Sequence, residues 1–139
     1  MSKTENFRRQ HHEIRQVVRQ LSAFLDRAEL VRDADQVRLL LSELAGKLGV
    51  HLAMEDHALY PRLIHHEDAA VAALAAMYAE EMGGIKSAFM GYAHKWRAAK
   101  AIEAAPQEFI DETRGIVEAL TERMTKEDAE LYSLVDKQS

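Results

Sequence analysis

His51 and Glu55 stand four residues apart, which is one turn of a helix. A single helix face therefore offers an imidazole nitrogen and a carboxylate together. Helical bundles supply ligands to one metal ion in this way. Further polar residues fall on apolar stripes elsewhere in the chain. His11 lies three residues before Ile14 and seven before Val18, whereas His12 is rotated by about 100° toward Gln16 and Arg19. Glu127 follows Leu120 by seven residues and precedes Leu131 by four, with Arg123 one turn earlier. Tyr78, Glu81 and Met82 lie on or beside a third stripe. Burying a charge costs several kcal/mol unless it is paired or bound to metal, so polar groups at such positions imply a partner.

Helices must position these residues. Only two prolines and six glycines occur, apolar residues recur at three- and four-residue steps, and no segment alternates. Ser2-Lys3-Thr4-Glu5 has capping-box spacing and opens a helix whose stripe runs from Ile14 through Leu21 to Ala28. Asp33-Ala34-Asp35-Gln36 caps a second, with a stripe from Val37 to Leu59 that Pro61 kinks or ends. Asp68 caps a third, running from Val71 to Trp96, and Pro106 opens a fourth that carries Phe109 through Val135. Gly83-Gly84 in the third helix marks a kink, a π-bulge or a close backbone approach. Short connections make sequential helices antiparallel neighbours. The expected fold is all-α, an up-down-up-down four-helix bundle forming one domain over residues 1–139.

Composition excludes several function classes. The chain has no cysteine, which removes disulfides, thiolate metal sites and cysteine nucleophiles together. A net charge of -5 argues against nucleic-acid binding, which needs a basic face. No apolar run approaches the length of a membrane span, and Met-Ser-Lys-Thr-Glu-Asn has no signal-peptide character, so the expected location is cytoplasmic. No Ser/His/Asp arrangement, phosphate loop or zincin motif occurs, and a non-enzyme is favoured.

Three stretches resemble the motifs of hemerythrin-like domains. His11-His12-Glu13-Ile14 is similar to their opening His-x-x-Ile motif, with His11 at the metal position. His51 to Glu55, continued by Leu59-Tyr60-Pro61, resembles their second motif. Arg123 to Asp128, ending in Leu131-Tyr132, resembles the last. The resemblance spans nearly the whole chain. It implies a four-helix bundle holding a non-haem di-iron site used for oxygen binding, iron or oxygen sensing, or nitrosative-stress work.

Departures from the family pattern are equally specific. Tyr78 and Met82 stand where the family carries a His-x-x-x-His pair, and Arg123 replaces the histidine before the last carboxylate. Thioether is soft and guanidinium carries only donors, so neither Met82 nor Arg123 suits hard iron. Two readings follow. In one, Glu81 moves in as a substitute ligand, Tyr78 serves as a phenolate, and His11, His51, Glu55, Glu81 and Glu127 hold non-haem iron, mono- or dinuclear. In the other, the site is vestigial and binds no cofactor, with Arg123 paired to Glu55 or Glu127. The expected function is metal binding in a sensory or accessory role and not oxygen carriage. The alternative is a metal-free interaction module with a protein partner, for which Met54, Met77 and Met90 are candidate contacts. His65-His66 beside Glu67-Asp68 reads as a polar loop.

Overall fold

The computed structural model describes residues 4–137, and all regular structure among them is helical. The elements are α1 (Glu5–Ser22), α2 (Arg27–Arg32), α3 (Ala34–Met54), a π-helical turn (Glu55–Leu59), α4 (Tyr60–Ile64), α5 (Ala69–Lys95), α6 (Ala99–Ala104), α7 (Pro106–Lys126), a second π turn (Glu127–Leu131) and α8 (Tyr132–Lys137). Ser2 and Lys3 of the expected capping box lie outside the described residues. Thr4 is the N-cap of α1, and its hydroxyl donates 2.8 Å to Asp136 near the other end of the chain. No helix among the described residues is long and apolar enough to cross a membrane.

Local chemistry sets several boundaries. The first stripe does not run unbroken to Ala28, because Asp26 accepts from the backbone N–H groups of Ala28 and Glu29 and starts a new helix there. Pro61 sits in the first turn of α4, where its missing N–H costs nothing. Asp68 caps α5 through the Ala70 N–H at 2.9 Å, and Pro106 opens α7 as expected. Gly83 and Gly84 lie within α5, which stays α-helical through both, and neither meets a close neighbour, since the space around both is open. The π turns fall instead at the two glutamates on the second and fourth stripes.

Two apolar clusters build the interior. The larger holds Ile14, Leu21, Leu44, Leu48, Leu52, Met82, Trp96, Phe109 and Met124 among others. The smaller holds Phe7, Leu59, Tyr60, Leu63, Tyr78, Leu131 and Tyr132. Each long run passes from one cluster to the other at one level. The change comes between Phe7 and Ile14, between Leu52 and Leu59, between Tyr78 and Met82, and between Met124 and Leu131. His11, His51, Glu55 and Glu127 occupy that level on three of the four runs, and all are buried. The fold therefore contains a polar layer sandwiched between two apolar ones.

Candidate metal centre

The four layer residues aim their side chains at one another. His11 Nε2 lies 3.0 Å from His51 Nε2 and 3.0 Å from Glu127 Oε1. His51 Nε2 lies 3.1 Å from Glu55 Oε1 and 3.9 Å from Glu127 Oε1. One ligand atom from each residue falls within 4.8 Å of all the others.

Groups around the layer fix its orientation. The Nδ1–H of His11 donates 2.9 Å to Asp128, which Arg15 holds from the far side at 2.8 Å. The Nδ1–H of His51 donates 2.7 Å to the Gln10 amide oxygen. With both outer nitrogens engaged as donors, a ring that carries no proton on Nε2 turns that lone pair inward, the arrangement that outer partners impose on metal-binding histidines. The carboxylates are held from behind by phenols. Tyr132 donates 2.6 Å to Glu55 Oε2, and Tyr60 donates 2.7 Å to Glu127 Oε2. Tyr132 also lies 3.2 Å from His11 Nε2.

The π turns bring these tyrosines in. In each turn the tyrosine N–H bonds to the glutamate carbonyl five residues earlier, Tyr60 to Glu55 and Tyr132 to Glu127. An α-helix would leave a residue five positions on about 140° away, whereas the wider turn brings it nearly over the first. Sequence reading did not assign Tyr60, Tyr132, Asp128 or Gln10 to the site. The signal for the tyrosines was present, because Glu-Asp-x-x-Leu-Tyr occurs at both 55–60 and 127–132.

Three expectations at the site are corrected. Glu81 does not join the four. It is exposed on the shoulder of α5, one residue off the Tyr78/Met82 stripe, and forms an ion pair with Arg123. Arg123 accordingly pairs with neither Glu55 nor Glu127, and its guanidinium lies 5.0 Å from the centre of the Tyr78 ring. Tyr78 donates 2.7 Å to Glu130 and takes no part in the cluster. His65 is exposed in its loop, and the half-buried His66 accepts from the Asp68 N–H.

Burial opposes charge throughout the layer, and the hydrogen bonds decide which groups keep it. Burial disfavours the ionised form of Glu127, but bonds from His11 and His51 outweigh it and hold the carboxyl far below the usual range. His51 is likewise penalised by burial, yet its contacts with Glu127 and Glu55 push it up to about 9. Glu55 is raised to about 7, chiefly by burial, with His51 pulling the other way. Both Tyr60 and Tyr132 are driven upward by burial and by the charge of Glu127, so both stay protonated donors.

The donor set fits a cation. Nitrogen and oxygen ligands sit about 2.0–2.2 Å from an ion such as zinc, so the donors of one ion lie within about 4.4 Å of each other. The 4.8 Å span here is close to that limit. Glu55 Oε1 is buried with no hydrogen bond of good geometry, and His51 Nε2 stands 3.1 Å from it, as two ligand atoms of one ion would.

The phenol contacts carry their own expectation. Tyr132→Phe removes the donor to Glu55 and should destabilise the metal-free protein by about 1–3 kcal/mol, read as a lower urea midpoint. A change within about 0.5 kcal/mol, as at an ordinary surface position, would contradict the assigned contact.

Comparison with known proteins agrees with the geometry. No curated protein and no solved structure matches the chain. A family model does, over residues 2–135, and by that match the chain belongs to the hemerythrin HHE cation-binding domain family.

Proposed function

We propose that this domain binds a non-haem metal ion, with iron favoured, and serves a sensory or accessory role in the cytoplasm, not oxygen carriage. One observation carries the metal reading. Two histidine Nε2 atoms face each other at 3.0 Å, while both Nδ1 atoms already donate outward. Two neutral rings so placed present lone pair to lone pair, and the contact becomes favourable only with a cation or an extra proton between them. Two imidazoles and two carboxylates suit iron among the divalent first-row metals, and the chain has no cysteine to favour softer ions. The four long helical runs are read as an up-down-up-down bundle in one domain, supported by the short connections between them.

When bound, the ion would supply Lewis acidity and, for iron, one-electron chemistry. His11 and His51 would hold it with Nε2, and Glu55 and Glu127 with their inward oxygens. Asp128 and Gln10 keep the two rings in the ligating tautomer. Tyr60 and Tyr132 stabilise the carboxylates as anions. Phe7 packs edge-on against His51 at 6.1 Å and helps keep water from the layer. Phe7 also packs on the Tyr132 ring at 5.7 Å and lines a cavity of about 230 Å³ that touches Leu59, Arg62, Leu63 and His66. Departures from the family at Tyr78, Met82 and Arg123 support the sensory or accessory role over oxygen carriage.

The alternative reading, a metal-free interaction module, gives the layer to a protonated His51 held between Glu55 and Glu127. Anaerobic calorimetric titration of metal-stripped protein with Fe(II) separates the two. Saturable binding by the wild type, lost in a His51→Ala protein that keeps its helical circular dichroism, is expected. Absence of binding by the wild type, or undiminished binding by His51→Ala, would contradict the metal reading.

A further inference from the structure

The layer has an internal correspondence. The segments Glu55–Tyr60 and Glu127–Tyr132 share the pattern Glu-Asp-x-x-Leu-Tyr, and both begin with a π turn. Their contacts are exchanged as under a twofold rotation, with Tyr60 donating to Glu127 and Tyr132 donating to Glu55. A layer that obeyed this correspondence fully would offer two equivalent ion positions. It breaks one turn earlier, where His51 precedes Glu55 by four residues and Arg123 precedes Glu127 by four.

Four features close the second position. Arg123 brings a permanent charge and no lone pair. It is anchored by Glu81 on one side and the Tyr78 ring on the other, its side chain only 11% exposed and its Nε buried without a hydrogen bond. The outer oxygens of the two glutamates, which a second ion would need as bridging ligands, already accept the two tyrosine hydroxyls. The inward donors span only 4.8 Å, which suits one ion, whereas paired metals sit about 3.5–4 Å apart and need ligands spread beyond both. On α5 the same level carries Tyr78 and Met82, neither of which adds a donor to the cluster.

Resting on the metal reading above, we propose that this is a one-ion site, with Arg123 and the crossed tyrosines excluding a second metal. Manganese(II) is the probe, because two ions a few ångströms apart couple magnetically and isolated ions do not. Metal-stripped protein is titrated with excess Mn(II) and followed by native mass spectrometry and electron paramagnetic resonance. One ion per chain with an uncoupled signal is expected for the wild type. Arg123→His combined with Tyr60→Phe supplies a ligand and frees a carboxylate oxygen, and should raise the count to two with an exchange-coupled signal. A coupled pair in the wild type would overturn the one-ion proposal while leaving the metal reading intact. No bound manganese in the wild type would overturn both. A folded double variant that still holds a single uncoupled ion would overturn the role given to Arg123 and Tyr60. Should that variant fail to fold, Arg123→His alone, expected to bind a second ion more weakly than the first, serves the same purpose.

Discussion

Replacing Glu127 by alanine is expected to lower the stability of the metal-free protein by about 3–5 kcal/mol and to abolish metal binding. Glu127 is fully buried and is the acceptor on which the layer converges, with His11 at 3.0 Å, Tyr60 at 2.7 Å and His51 at 3.9 Å. Alanine leaves the buried Tyr60 hydroxyl without its acceptor and takes the anionic partner from His11 Nε2, which is costlier than the contacts were favourable. A loss of that size is a large share of the roughly 5–15 kcal/mol that holds a typical domain folded. Glu122→Ala, on the exposed face of α7 and paired to Lys126 at 3.4 Å, is the control and should change stability by less than about 0.5 kcal/mol. Chemical denaturation of the two variants checks the contrast. Equal effects would mean that the polar layer does not contribute as its geometry implies.

Metal-free protein should also lose stability as pH rises above neutrality. His51 titrates near 9 in the fold against 6.5 unfolded, so its contribution is complete below 6.5 and disappears as pH climbs through 9. At about 1.36 kcal/mol per pH unit, that shift is on the order of 3 kcal/mol. Glu55 works in the same direction at lower pH. Raised to about 7 from 4.5, its protonated form adds stability that is lost as pH rises through 7. Glu127, held low, contributes above 4.5 and loses that contribution only as pH falls through its depressed pKa. Metal should reverse the alkaline trend, because an ion needs His51 unprotonated and competes with the proton for Nε2. The rise in melting temperature on adding metal should therefore grow between pH 6.5 and pH 9. Metal-free stability that stays flat across that window would contradict the charge assignment of the layer.

Much of this centre was legible in the residues themselves. His51 and Glu55 are set by helical spacing alone, and His11 and Glu127 by their phase against apolar neighbours. Glu81 shows where that logic stops. One residue off the Tyr78/Met82 stripe it is rotated by about 100°, and a nearby arginine captured it at the rim. The tyrosines were hidden for a different reason. Phase counting assumes 3.6 residues per turn, and both π turns add a residue just where Tyr60 and Tyr132 swing in. Long-range partners such as Gln10 for His51 and Asp128 for His11 follow no periodicity, since they are set by how α1 lies against its neighbours. The same limit applies to α2 and α6, short helices that each bury one large apolar residue, Leu30 and Ile102, between longer ones.

Anomalous diffraction from crystals of the metal-loaded protein tests the central claim most directly. A single strong peak is expected within bonding reach of His11 Nε2, His51 Nε2 and the inward oxygens of Glu55 and Glu127. A fully loaded crystal with no peak between those four residues, or with its metal at the His65-His66 loop instead, would contradict it.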